Sequence, residues 1–326
     1  MSVESTTGGE IVHAIWDILR IHKDGSVVRL MGCEVAPASI DPQTGVQSKD
    51  VVISPETAIS VRLYLPKSAL NPSTHKLKLP LLVYFHGGGF CIATASFPPY
   101  HNFLNSLVAA ANIVAISVDY RRAPEHPLPT AFEDSWEAVK WVISAGDEWV
   151  KNLADLERLF FAGDSAGGNI AYRMSIRVGL EMEWLSSSGA KLVGIVLVHP
   201  LFGGEESIGS ELEVNAAVKS DYDNLWRIVW PSVKSLDDPI INPSMDPNIA
   251  RMGCERVLVC VAEKDGLRDR GWCFYDAVKR SVWKGTVEIV KTAGEDHVFH
   301  LFNPTGDNAL AFIKMLVSFF NEEIRN

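Results

Sequence analysis

Residues 159–171 read LFFAGDSAGGNIA, an apolar run that breaks at a Gly-Asp-Ser-Ala-Gly-Gly turn and resumes as a helical segment. This is the strand, turn, helix context in which a G-x-S-x-G elbow presents a nucleophilic serine, here Ser165. The glycines let the backbone turn sharply with almost no side-chain volume, so the Ser165 hydroxyl projects above the sheet. The helix that follows turns its amides and the positive end of its dipole toward any anion formed there. As a bare pattern G-x-S-x-G also occurs in ordinary Gly-rich turns, and the flanking strand and helix give it its weight.

Working outward, a second glycine cluster, HGGGF at 86–90, ends the apolar run LLVYF at 81–85. Each glycine loses more backbone freedom on folding than another residue would, so three in succession need a reason. Side-chain-free amides can approach a reacting carbonyl closely, and an HGGG loop forms half of an oxyanion hole. Gly88 and Gly89 are the expected donors, with the amide of Ala166 as the third. His86, at a strand terminus, is expected to hold the loop rather than to react. A phosphate cradle fits poorly, because no Lys-Ser/Thr follows at P-loop spacing and no G-x-G-x-x-G opens the first βα turn.

With a serine elbow the expected chain order is Ser, then Asp or Glu, then His. After Ser165 come VLVCVAEKDGLRDRG (257–271) and VEIVKTAGEDHVFHLF (287–302), each an apolar strand followed by a polar loop. Acid and base must sit on loops at the carboxyl edge of the sheet, beside the elbow. Among Glu263, Asp265 and Asp269, Asp265 stands where the strand has just ended. Glu263 is too close to the strand, and Asp269 starts the next helix, where an acid serves as cap or dipole partner. His297 follows the Gly294-Glu295-Asp296 turn, whereas His300 falls in the next helix, so His297 is the expected base. The histidines at 13, 22, 75, 101, 126 and 199 are scattered and none pairs with carboxylates at metal-ligand spacing. The sequence therefore predicts no metal, and it carries no cofactor motif. Phe90, Ile92, Phe202, Trp226 and Phe299 stand beside the motifs as candidate pocket walls, although each is equally suited to the core.

Around these motifs, apolar runs at 61–65, 79–85, 113–118, 159–162, 192–198, 257–262 and 287–290 alternate with helical patterns at 100–111, 131–143, 168–180, 269–282 and 308–320. That alternation predicts an α/β fold, a mostly parallel sheet flanked by helices, as a single domain over 1–326. Two regions fall outside it and are cap candidates. Residues 1 to about 45 start with Ile11, Ile15, Ile18 and Leu19 at helical spacing, predicting a helical cap. Residues 203 to about 245 run from a polar, acidic stretch into Trp226, Ile228, Val229 and Trp230, which suits either a lid with an aromatic underside or a surface helix.

The formal charge is −10, from 30 basic and 40 acidic residues, which argues against nucleic acid and anionic membrane as partners. The 47% hydrophobic content suits a substantial core and an apolar pocket for a small molecule. The 5 cysteines are scattered, so neither a disulfide framework nor a zinc site is indicated and a reducing compartment is the simpler reading. No N-terminal signal pattern or membrane span is present, so a soluble, cytoplasmic protein is expected. The sequence does not fix an oligomeric state.

Taken together, HGGGF at 86–90, DYRRAPEHPLP at 119–129, GDSAGGNIA at 163–171, AEKDGLRDRG at 262–271 and GEDHVFHLF at 294–302 resemble the hormone-sensitive-lipase group of α/β-hydrolases. More narrowly the chain is similar to plant carboxylesterases over nearly its whole length. The resemblance implies an α/β-hydrolase fold and hydrolysis of a carboxylic ester through Ser165, His297 and Asp265, with Gly88, Gly89 and Ala166 as the oxyanion hole. It further implies that Asp164 and the RRAPEHPLP segment are structural supports. The same plant group contains 2-hydroxyisoflavanone dehydratases, alkaloid cyclases and gibberellin receptors. The receptors lack the histidine that stands here as His297, which favours an enzyme. A lyase remains open, because a histidine base and an oxyanion hole can also remove a proton beside a carbonyl.

Overall fold

The computed structural model describes residues 9–70, 78–212 and 216–322. Its strands are β1 (Ile11–Ile15), β2 (Leu19–His22), β3 (Val27–Arg29), β4 (Gln47–Ser54), β5 (Ile59–Leu65), β6 (Leu79–Phe85), β7 (Val114–Asp119), β8 (Ala154–Asp164), β9 (Leu192–Val198), β10 (Arg256–Ala262) and β11 (Thr286–Thr292). The helices are α1 (Pro98–Ala111), α2 (Thr130–Ile143), α3 (Glu148–Leu153), α4 (Ala166–Leu180), α5 (Met182–Ser187), α6 (Ala216–Val229), α7 (Arg268–Arg280), α8 (Phe299–Phe302) and α9 (Asp307–Asn321). Strands β4 to β11 form one eight-stranded sheet in the order β11-β10-β9-β8-β6-β7-β5-β4. From β7 to β11 every pairing is parallel, while β5 runs antiparallel to both of its neighbours.

The seven apolar runs expected as strands form β5 to β11, and for β5 to β10 the reason is burial on both faces, whereas β11 lies at the sheet edge with none of its residues buried. In β6, Leu81, Val83 and Phe85 enter one hydrophobic cluster while Leu82 and Tyr84 enter the other. The same split recurs in β10, with Val257, Val259 and Val261 against Leu258, Cys260 and Ala262. One cluster takes in α2 and α4, and the other takes in α1 and α9. Each fully buried Leu, Val or Phe in these layers contributes about 1.5–3 kcal/mol relative to exposure.

The N-terminal region departs from the sequence reading. The expected helical cap is instead an antiparallel three-stranded sheet, β1-β2-β3. Ile15 and Leu19 do both point inward, but they flank a tight turn at Trp16, whose φ is 40°, so their four-residue spacing arises from a reversal and not from a helix. Ile11, at the start of the supposed stripe, is 51% exposed. β-Branched Ile11, Val12 and Ile15 favour extended backbone, and Asp24-Gly25 closes the second hairpin, with the Asp24 carboxylate accepting from the Ser26 amide at 2.9 Å. In the second cap region, α6 buries Leu225, Trp226 and Val229 against the body of the protein. Residues 1–8 and 213–215 of the two expected cap regions, and His75, lie outside the described residues. Among the described residues no helix is long and apolar enough to cross a membrane.

Candidate active site

Five loops that leave the carboxyl ends of parallel strands meet at one edge of the sheet: 86–90 after β6, Ser165 after β8, His199 after β9, Asp265 after β10 and His297 after β11. This is where an open α/β sheet gathers ligands.

Ser165 is the junction between β8 and α4. Its φ of 52° and ψ of −119° lie outside the regions a serine ordinarily occupies, a conformation that costs about 1–3 kcal/mol. The surroundings impose it. The Ser165 amide donates to Val198 at 2.8 Å, and its carbonyl accepts from Leu201 at 2.8 Å and from Gly168 at 3.0 Å. The flanking glycine is sterically required, since a Cβ on Gly167 would overlap the Phe85 carbonyl oxygen.

His297 and Asp265 are joined by a 2.8 Å hydrogen bond between Nδ1 and Oδ2. The other carboxylate oxygen of Asp265 accepts from the Leu267 amide at 2.8 Å, which fixes the orientation of the carboxyl plane. Burial disfavours charge on both groups, yet each holds the other's charged form. Burial alone would lower the His297 pKa, but the Asp265 carboxylate, with Asp164 and Asp296 behind it, raises it above the ordinary 6.5. Burial alone would raise that of Asp265, and the charge and hydrogen bond of His297 hold it below 3.8.

Across the site, Gly88 and Gly89 have φ values of 98° and 60°. The Gly88 carbonyl accepts from the Cys91 and Ile92 amides at 2.9 and 3.0 Å, curling the loop back on itself. A side chain at Gly88 would overlap the Ile92 carbonyl, whereas one at Gly89 would touch Leu225 of α6 at 3.4 Å. Among the described residues, no group accepts a hydrogen bond from the amides of Gly88, Gly89 or Ala166. Gly88 and Gly89 line the cavity beside Ser165, and Ala166 directly follows it in the chain.

Asp164 and His86 join the elbow to this loop. The buried Asp164 carboxylate accepts from Tyr84 at 2.8 Å and Tyr100 at 2.7 Å, and the Tyr100 hydroxyl accepts from the Gly87 amide at 2.8 Å. Burial raises the Asp164 pKa against the pull of the two tyrosines. His86 stacks on Tyr120 with ring centroids 4.2 Å apart, and its Nδ1 lies 2.8 Å from the Gly87 carbonyl. Its burial drives the pKa down to about 3, so the ring is neutral. In the 119–129 segment, the Arg121 guanidinium is bidentate to Asp134, and Arg29 of β3 bonds the Ala123 carbonyl and Glu125.

A cavity of about 270 Å³ opens between these groups. Ser165, His297, Gly88 and Gly89 line it together with Trp16 and Ile18 from the turn between β1 and β2, Met31 just after β3, and Tyr222 and Leu225 from α6. Ile92, Phe97, Leu201, Leu267, Leu301 and Phe302 complete an apolar wall. Of the pocket residues nominated from sequence, Ile92 lies on this wall and the others do not. Phe90 packs on Phe132 and Trp226 in the core, Phe202 and Trp226 line a separate small cavity, and Phe299 packs on Phe312. Standing next to a motif did not fix the direction of these side chains. The walls that sequence reasoning missed, Trp16, Met31, Tyr222 and Leu225, belong to the two cap regions, which carry no motif.

Sequence reasoning also passed over His199. The fold brings it to Asp265 and His297, with one ligating atom from each within 4.8 Å of the others. The Nδ1 atoms of both rings and both carboxylate oxygens are engaged in linked hydrogen bonds within the chain, and the buried Nε2 of His199 has no partner among the described residues.

A family model described as the alpha/beta hydrolase fold matches residues 82–301. The chain is 47% identical over 306 residues to "Probable carboxylesterase 2" of Arabidopsis thaliana, covering 93% of this chain and 94% of that one. It is 42% identical over 331 residues to a 2-hydroxyisoflavanone dehydratase of Glycyrrhiza echinata, covering 98% of each. Among solved structures it resembles a hyperthermophilic esterase from the archaeon Pyrobaculum calidifontis, with a TM-score of 0.69 and 25% identity over 84% of this chain and 85% of the other. A thermostable carboxylesterase cloned from a metagenomic library also matches, with a TM-score of 0.69 and 28% identity over 84% and 88% of the two chains. The matched span holds the glycine loop after β6, the strained serine after β8, and the aspartate and histidine after β10 and β11, and the chain belongs to the alpha/beta hydrolase fold family.

Proposed function

We propose that this protein is a serine carboxylesterase, a single α/β-hydrolase domain over 1–326 that hydrolyses neutral, apolar carboxylic esters. The observation that carries the reading is the shared cavity: Ser165 on its strained elbow and His297, hydrogen-bonded to Asp265 at 2.8 Å, face it together with Gly88 and Gly89. His297 takes the Ser165 proton as the hydroxyl attacks the ester carbonyl, and Asp265 keeps the imidazole in the tautomer whose Nε2 can accept it. Gly88, Gly89 and Ala166 donate to the tetrahedral oxyanion, each such donor being worth about 3 kcal/mol of barrier. The alcohol leaves with the proton from His297, and water activated by the same ring releases the acid. No cofactor enters this sequence.

The wall of the cavity supports a substrate without charge, since apart from Asp164 and the reacting groups it offers only apolar and tyrosyl side chains. The plant relatives support esters of plant specialised metabolism as the natural class, and the five free cysteines suit a cytoplasmic setting. Neither nucleic acid nor membrane is a partner on this reading. Similarity to the dehydratase favours one second reading, elimination in the same cavity with His297 as the base.

Intact mass after brief exposure to paraoxon, with p-nitrophenol release from p-nitrophenyl butyrate, tests the proposal on the wild type and Ser165→Ala. A single adduct and turnover in the wild type, both lost in the variant, are expected. An unlabelled, inert wild type refutes the esterase reading, and turnover without acylation of Ser165 directs the search to elimination.

A further inference from the structure

His199 is the first residue beyond β9, between the strand that carries the elbow and the strand that leads to Asp265. It is 1% exposed, with a left-handed φ of 45°. Its amide donates to the Cys260 carbonyl at 2.8 Å, which locks the residue to β10. Its Nδ1 accepts from the amide of Val298 at 2.9 Å. Val298 directly follows His297 and also lies in the left-handed region, at φ 46° and ψ 35°. A β-branched residue enters that region only at a cost, so something must hold it there. Two rigid strand ends are thereby linked to the loop of the base through one nitrogen atom.

The chemistry of the ring suits this task. Accepting at Nδ1 requires the neutral tautomer with its proton on Nε2. Burial, with His297 at a centroid distance of 5.8 Å, lowers the His199 pKa to about 3, so the acceptor persists at any working pH. We propose that His199 is a positioning residue for the base: by accepting the Val298 amide it holds the turn that presents the His297 ring to Ser165 while leaving its Nδ1 on Asp265. The proposal rests on the esterase reading above.

The test compares His199→Phe, which keeps the ring volume without an acceptor, with His199→Asn, whose Oδ1 replaces Nδ1 at the same distance along the side chain. Steady-state kinetics on p-nitrophenyl butyrate from pH 5 to 9, paraoxon labelling rates and near-UV circular dichroism are measured on each. The expected result for His199→Phe is a fall in kcat of about 10–100-fold, the scale of a displacement near 1 Å, with KM within about twofold. Its acid limb moves to lower pH, because a His297 ring drifting from Asp265 loses the charge that raises its pKa. His199→Asn restores kcat to within about fivefold of wild type.

A folded His199→Phe with wild-type kcat, or an Asn variant as impaired as the Phe variant, overturns the proposal. Should the Phe variant not fold, Asn is compared with Gln, whose amide lies one methylene further out; equal losses in both overturn the proposal, and a loss confined to Gln supports it. A wild type that paraoxon does not label and that turns over no ester fails at the esterase reading instead and takes this inference with it.

Discussion

Replacing Asp265 by Asn should disable the site through a proton in the wrong place, with little change in shape. In the native protein one carboxylate oxygen accepts from the Leu267 amide at 2.8 Å and the other from His297 Nδ1 at 2.8 Å. The Leu267 amide still requires an acceptor in the variant, so the Asn carbonyl takes that side and its NH₂ faces His297. Two donors cannot share that contact, so Nδ1 becomes the acceptor and the ring proton moves to Nε2, the atom that must take the proton of Ser165. The same tautomer error in a serine protease triad lowers kcat by about 10⁴, or about 5.5 kcal/mol of barrier, and we expect a loss of that order here. The pH profile supplies an independent reading. Activity requires neutral His297, so it rises with pH through a pKa held above 6.5 in the native protein. Without the Asp265 charge that pKa falls, and the residual acid limb should move to lower pH. The assay is p-nitrophenyl butyrate hydrolysis from pH 4.5 to 9 with active-site titration. A kcat within tenfold of wild type, or an acid limb that stays in place, would refute the reasoning.

Gly88→Ala should lower kcat by at least about 100-fold, the loss expected of one misplaced oxyanion donor, because its Cβ collides with the Ile92 carbonyl at a φ of 98°. Gly89→Ala should cost less, since its Cβ meets only the movable end of Leu225; parallel kinetics on the two variants decide the order. Asp164→Asn places an NH₂ against one of two tyrosine hydroxyls and should reduce stability in urea by about 1–3 kcal/mol, with labelling of Ser165 slowed as Tyr100 releases Gly87. Trp16 meets Tyr222 edge-on at 5.2 Å between the two caps, so Trp16→Ala should widen the cavity. Two further methylenes admitted at about 0.8 kcal/mol each should raise kcat/KM for p-nitrophenyl octanoate about tenfold relative to the hexanoate, and an unchanged ratio would count against Trp16 as a wall.

The sheet was legible because β5 to β10 each hold an apolar run buried on both faces, with little polar alternation to confuse the reading, while the edge strand β11 was legible from Val287, Ile289 and Val290. The N-terminal sheet was not legible for the opposite reason. Its strands are short and β1 is exposed over most of its length, so the apolar residues that do point inward, Ile15 and Leu19, sit on either side of a turn at a spacing that mimics a helix. His199 stands in the phrase VHPLF directly after a wholly buried strand. Its signal was position: a polar residue at the carboxyl end of the strand next to the elbow strand lies on the edge where ligands and reacting groups gather. Scanning for metal-ligand spacing along the chain could not find it, because its partners come from β10 and β11.

The same contrast explains why the chemistry of this protein is easier to read than its substrate. The reacting groups need backbone conformations that few residues adopt, so they leave signatures: glycines where a Cβ would collide, a serine in a strained turn, and acid and base on loops that strand order dictates. The cavity walls need only apolar volume. Trp16 reaches the cavity from the turn between β1 and β2, Met31 from just after β3, Tyr222 and Leu225 from α6, and Phe302 from α8. The N-terminal sheet and α6 also brace the catalytic loops, through Arg29, which donates to the Cys91 carbonyl at 2.7 Å and to the Ala123 carbonyl at 3.1 Å, and through Trp226 of α6, which packs on Phe90; Trp16 and Met31 make no such hydrogen bond among the described residues. A change of volume at Trp16 or Met31 can therefore alter which ester fits without moving Ser165, Asp265 or the glycine loop. On the proposed reading the cap walls set selectivity and the sheet edge sets reactivity, so substitutions at Trp16 or Met31 should combine additively in kcat/KM with those at the sheet edge, whereas Leu225, which touches both the cavity and the space beside Gly89, should not.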